Sequence, residues 1–221
     1  MLPLFAVAIR SPAQAGVKDR IAAYEAGNLP LAVKEFGEAA EQGDADCQFN
    51  LALMYEQGMG VAKDENVAVV WYRKSDEQGN SNAQFILGVL CENGRGTAIE
   101  FHQANRWYRK AADQGDAFAI GNLGMLYLRG GGVKVDTIAS VALLLRSVML
   151  DNSPANHAKQ NISQSKGLTV QIITASQKLS WELKKAKDLL VPLDKYLEST
   201  NTSTAKLKQL GASELCVTNS P

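Results

Sequence analysis

An all-α solenoid of stacked helix pairs is the fold this sequence predicts, and three observations predict it. A unit of 36 residues recurs without a slip in register from Ala45 to Asn152, its apolar residues follow helical spacing, and glycines return wherever a helix must end. A fixed period of this length marks a repeat architecture, in which each copy buries its apolar face against its neighbours.

The copies occupy residues 45–80, 81–116 and 117–152. Leu51, Tyr55, Gly58, Gly60, Ala68, Trp71, Tyr72 and Gly79 of the first correspond to Leu87, Cys91, Gly94, Gly96, Ala104, Trp107, Tyr108 and Gly115 of the second. The third keeps Leu123, Gly124, Tyr127, Gly130 and Gly132 but carries Leu143-Leu144 in place of the Trp-Tyr pair, the drift expected of a terminal repeat. Residues 16–44 read as a shortened N-terminal repeat, with Tyr24, Gly27, Ala32, Phe36, Ala39 and Gly43 on matching places.

Within each copy Cys47, Leu51 and Tyr55, or Ala83, Leu87 and Cys91, are spaced by four, which puts them on one face of a first helix. A second helix runs from about Glu65 to Gln78 and from about Phe101 to Gln114. Gly43, Gly79 and Gly115 stand where it must stop and supply a left-handed cap, and Asp44, Asn80 or Asp116 then caps the next helix with its side-chain oxygen. The Gly-x-Gly pairs follow a helix instead of a strand, so they read as a cap and tight return, not as a phosphate loop. Cys47 and Cys91 fall on core positions and read as small buried hydrophobes; Cys216 lies apart, and no CxxC or Cys/His cluster exists.

After the third copy, residues 153–191 read as C-terminal capping helices. Ser153-Pro154 opens one helix to about Ser165; Gly167 ends it, and Leu168 to Leu190 forms a longer one with Ile172, Ile173, Leu179, Trp181, Leu183 and Leu190 apolar. That helix is expected to cover the open face of the last repeat, with attachment to a membrane surface as the rival role for its lysines. Pro192 is expected to break it, leaving 192–221 as a flexible tail. At the other end, the apolar run Leu2 to Ile9 and Ala13-Gln14-Ala15 make residues 1–15 an atypical signal peptide, with an ordinary apolar helix as the alternative. Export implies a periplasmic or secreted protein; without it the protein is cytoplasmic.

The formal charge is zero, with 14 basic and 18 acidic side chains up to residue 152 and 9 basic and 5 acidic beyond it. The repeats lack the basic face that nucleic acid requires, so no nucleic-acid partner is expected. No apolar stretch is long enough for a transmembrane segment. His102 and His157 have no motif neighbours, and pairs such as Asp64-Glu65 fall at helix ends, where they suit the helix dipole. No catalytic residues, metal site or cofactor are assigned.

The combination Leu-Gly-x-x-Tyr-x-x-Gly-x-Gly-Val, then Asp, Ala and Trp-Tyr-Arg-Lys, then Glu-Gln-Gly resembles the Sel1-like repeat, a relative of the tetratricopeptide repeat. It is carried by Gly58, Gly60, Val61, Asp64, Ala68, Trp71-Tyr72-Arg73-Lys74 and Glu77-Gln78-Gly79, and by Trp107 to Ala112 with Asp113-Gln114-Gly115-Asp116. Cys91, Thr97, Glu100 and Leu143-Leu144 depart from it. The resemblance implies a right-handed α/α solenoid with a C-terminal capping helix, and a bacterial exported member. It also implies a non-catalytic adaptor for a protein or peptide partner, monomeric or weakly self-associating. A cysteine-rich branch is associated with β-lactam binding; this chain lacks those paired cysteines. An exported hydrolase or β-lactam-binding protein, or a self-assembling structural protein, are the alternatives.

If the third, seventh and eleventh places of each repeat are core, the second, fifth, ninth and twelfth lie opposite. They are Asp46, Phe49, Leu53 and Glu56; Asn82, Phe85, Val89 and Glu92; and Phe118, Gly121, Met125 and Leu128. These positions either line a concave groove, with Phe49 and Phe85 as anchors, or pack on neighbouring helices as further core.

Overall fold

The computed structural model describes residues 22–215, with side chains to residue 202, so the expected signal segment lies outside the described residues. Every regular element among them is a helix. The described residues form two compact units, which divide between Ile99 and Glu100.

The first unit has helical residues 22–25 followed by α1 (Leu29–Glu41), α2 (Ala45–Gln57), α3 (Glu65–Glu77) and α4 (Ser81–Asn93). Its boundaries follow from side-chain caps. Asp44 accepts from the Cys47 N–H at 2.8 Å, Asp64 from Asn66 and Val67 at 2.9 and 3.1 Å, and Asn80 from Ala83 at 3.0 Å. Gly79 sits at φ +85 immediately before Asn80, so one turn closes α3 and opens α4. Ala32, Phe36, Ala39, Ala40, Cys47, Leu51 and Met54 form the core, with Tyr55 and Trp71 packed on its edge.

The second glycine of each Gly-x-Gly does more than turn the chain. A Cβ on Gly60 would lie within 2.6 Å of the Leu29 backbone, and one on Gly96 would strike the Glu65 backbone. In the second unit, a Cβ on Gly132 would come within 2.6 Å of the backbone at Phe101 and His102. Leu29, Glu65 and Phe101 each begin a second helix, so this glycine is where the loop of one repeat rests on the helix start of the repeat before it. Buried glutamines make a further tie. Gln48 donates to the Ala40 carbonyl at 3.0 Å and accepts from Gln78 at 2.8 Å, and Gln84 donates to Asp76 at 2.8 Å.

The second unit holds α5 (Phe101–Asp113), α6 (Ala117–Arg129), α7 (Thr137–Leu150), α8 (Ala158–Gln164), α9 (Val170–Lys185) and α10 (Leu190–Leu215). Helices α6 and α7 approach closely, because Gly124 presents no side chain where a Cβ would lie 3.0 Å from the Ser140 carbonyl. Helix α9 packs on α7, in which Leu143 and Leu144 are both fully buried. Trp71 and Trp107, which correspond to Leu143, stay partly exposed. The smaller side chain thus occurs in the repeat that the capping helix covers.

The C-terminal region differs from its sequence reading in three ways. Ser153-Pro154 forms a turn, with the Ser153 N–H and hydroxyl bound to the Asp151 carboxylate, and the helix begins at Ala158. Helix α9 ends at Lys185 and turns Ser176, Leu179, Ser180 and Leu183 inward, leaving Ile173 and Trp181 exposed. Residues 190–215 are helical where a tail was expected. Pro192 lies in the first turn of α10, where its missing N–H has no helical partner to lose, and Leu193 is fully buried.

Candidate partner-binding groove

Helices α2 and α4 are tied together at both ends. At their N-terminal ends, the Asn80 amide that precedes α4 donates to the Asp46 carboxylate of α2 at 3.1 Å. At their C-terminal ends, Arg95 reaches back to Glu56 of α2 at 3.2 Å. Between the ties lie Phe49 and Leu53 on α2 and Phe85 and Val89 on α4, all half-buried, with Asp46 and Asn82 exposed at one rim. The opposite faces, which include Leu51 and Leu87, are in the core.

Tyr72 of α3 lies against this strip. It is fully buried, its ring is tilted at 53° to Phe49 with centroids 5.6 Å apart, and its hydroxyl donates to Glu56 at 2.6 Å. Burial, and then the Glu56 carboxylate, push the Tyr72 hydroxyl far above the ordinary tyrosine range and keep it a neutral donor. Arg95 also donates to Glu65 at 2.6 and 3.0 Å, and Lys63 stands 3.0 Å from the same oxygen. Hydrogen bonds from Arg95 and Lys63 hold the Glu65 carboxyl below its usual value. Both oxygens of Glu56 therefore serve the fold, one for Tyr72 and one for Arg95. Glu56, one of the positions expected to line a groove or to pack as core, braces the end of the strip through these two contacts.

Glu92 is half-buried on α4. In the second unit, Phe118 is exposed and Met125 and Leu128 are half-buried on α6, while Gly121 is buried beside Ser147. Of the residues that brace the strip, Asn80 was legible only as a helix cap and Tyr72 only as a repeat position, and Arg95 was missed. Arg95 had no repeat signal, since Met59 and Gly131 hold its place in the other copies.

His102 and His157 are exposed. Among the described residues no three His, Cys, Asp or Glu side chains converge as metal ligands. Among the same residues, no helix is long and apolar enough to cross a membrane. Phe49, Leu53, Phe85 and Val89 thus form a half-buried apolar strip with polar residues at both ends, and Phe49 packs on the buried Tyr72.

The family profile described as Sel1 repeat matches residues 45–80, 81–116 and 117–152, the windows set by the internal period. Residues 45–152 are three Sel1 repeats. The chain is similar to a Sel1 repeat protein from Oxalobacter formigenes, at 29% identity over 77% of this chain and 76% of that one, with a TM-score of 0.60. It is also similar to a protective antigen of uropathogenic Escherichia coli with an SLR fold, at 30% identity and a TM-score of 0.64. That match covers 77% of this chain but only 38% of the antigen. No curated protein matches. The helix pairs and these likenesses place the chain in the α/α solenoid class. Sel1 repeat proteins generally mediate protein–protein interaction and are typically non-catalytic.

Proposed function

We propose that this chain is a non-catalytic adaptor that holds a protein or peptide segment along the paired faces of α2 and α4. The observation that carries the reading is the half-buried strip Phe49, Leu53, Phe85 and Val89, bracketed by Asp46–Asn80 and Glu56–Arg95. Apolar side chains left half-open on tied helices suit the apolar face of a helix or the alternate side chains of an extended segment. The packing of Phe49 on Tyr72 fixes one anchor in advance, which lowers the ordering cost of binding. Export is the proposed setting, supported by the apolar run and Ala13-Gln14-Ala15; N-terminal sequencing of the mature protein is expected to begin at Gly16.

The test is affinity capture from the native source with the wild type and with a Phe49→Asp/Phe85→Asp variant whose circular dichroism is unchanged. A protein held by the wild type and lost from the variant supports the groove; identical captures move binding elsewhere on the chain.

A further inference from the structure

We propose that the exposed face of α9 docks on an anionic membrane surface, with Trp181 among the lipid headgroups and lysines against the phosphates around it. The helix cannot turn this face inward, because Ser176, Leu179, Ser180 and Leu183 on its other side are buried in the second unit. What remains outside is both apolar and basic. Val170 is 77% exposed and Trp181 50%, and Lys178 and Lys185, three residues before and four after Trp181, share its face by helical spacing.

No neighbouring acid answers the charge on this face. Lys178, Lys184 and Lys185 of α9, with Lys166 and Lys187 just beyond its ends, are all exposed, and none is held in an ion pair with a described residue. Lys184 and Lys185 stand 5.1 and 5.0 Å from the centroid of the Trp181 ring, which keeps indole and ammonium groups together. Glu182 is the one acidic residue of the helix, and with Lys178 it lines the cleft towards α10 beside Pro192 and Tyr196. The formal charge of the whole chain is zero, so the excess is local.

A membrane suits these features better than other occupants do. Tryptophan and lysine partition together at a lipid–water interface, the ring at headgroup level and the ammonium at the phosphates. A second copy docking through the same face would set these lysines against their own counterparts. A peptide needs a groove to receive its side chains, whereas Val170 and Trp181 stand about 16 Å apart along the outside of a single helix, a shape that matches a plane. This docking does not depend on the strip of α2 and α4, and its failure would leave that reading untouched.

The experiment is flotation of the full chain with vesicles of phosphatidylcholine alone and of an equal mixture with phosphatidylglycerol, at about 0.05 and 0.5 M salt. Binding is expected on the anionic vesicles at the lower salt and is expected to be largely lost at the higher. Lys184→Gln/Lys185→Gln is expected to weaken it about twentyfold and Trp181→Ala about tenfold, with circular dichroism unchanged because all three side chains are exposed. Brominated lipid in the anionic vesicles is expected to quench part of the wild-type fluorescence, and Trp181→Phe to lose that part. Equal binding to neutral vesicles, no binding to anionic ones, or full binding by either folded variant overturns the proposal. Binding to polyglutamate without binding to vesicles also overturns it, and assigns the face to an acidic protein instead.

Discussion

Arg95 and Glu56 are 39 residues apart in sequence and 3.2 Å apart in space, and the same Glu56 accepts the hydroxyl of the buried Tyr72. One carboxylate thus joins the loop after α4 to α2 and satisfies a buried donor of α3.

Glu56→Ala is expected to cost about 1–3 kcal/mol, because it strands the Tyr72 hydroxyl in the interior as well as freeing Arg95. Tyr72→Phe removes donor and demand together and should cost about 1 kcal/mol. Urea unfolding of both singles and the double variant measures the difference; equal losses for the two singles would count against a stranded hydroxyl.

Gly96 and Gly79 both lie at positive φ, at +63 and +85, yet their surroundings differ. Nothing would meet a Cβ on Gly79, so Gly79→Ala should cost about 1–2 kcal/mol from backbone strain alone. Gly96→Ala adds a collision with the Glu65 backbone and is expected to cost more, with unfolding midpoints ranking wild type, Gly79→Ala, Gly96→Ala from most to least stable.

Ser75 donates to the Ala45 carbonyl at 2.7 Å and Ser147 to the Ala117 carbonyl at 2.6 Å, the same tie in two repeats. Only Ser147 is also bonded to the buried Asn156, whose amide donates to its hydroxyl at 2.9 Å. Ser75→Ala should lose about 1 kcal/mol, and Ser147→Ala more, since it also removes a partner from a buried amide. Thermal unfolding at fixed pH gives the ranking.

Much of this fold was legible because the period supplies three chances to read each feature. Gly79, Asn80 and their counterparts announce helix ends by type and place together. Gln48 and Gln84 were harder to read, since glutamine suits a surface and only its recurrence at one buried place hints at the tie between repeats. Arg95 occurs in one copy, so its pairing with Glu56 left no periodic trace. Helix α10 was misread because Pro192 looks like a stop signal, although a proline in a first turn breaks no hydrogen bond. The half-buried state of Phe49 and Phe85 depended on how far neighbouring helices cover them, which spacing alone does not determine.

Because Tyr72 stays neutral in the fold while an unfolded tyrosine ionises near pH 10, the unfolded chain releases this proton first. Stability is then constant in this group below about pH 10 and falls as pH rises beyond it. Unfolding free energy measured from pH 8 to 11.5 checks the sign, and Tyr72→Phe should show a shallower decline.

The central claim is that a partner lies on α2 and α4, and hydrogen exchange of the full chain with its captured partner tests it most directly. The account predicts new protection in residues 46–56 and 82–92. Protection confined to α9 and α10, with α2 and α4 exchanging as in the unbound chain, would contradict it.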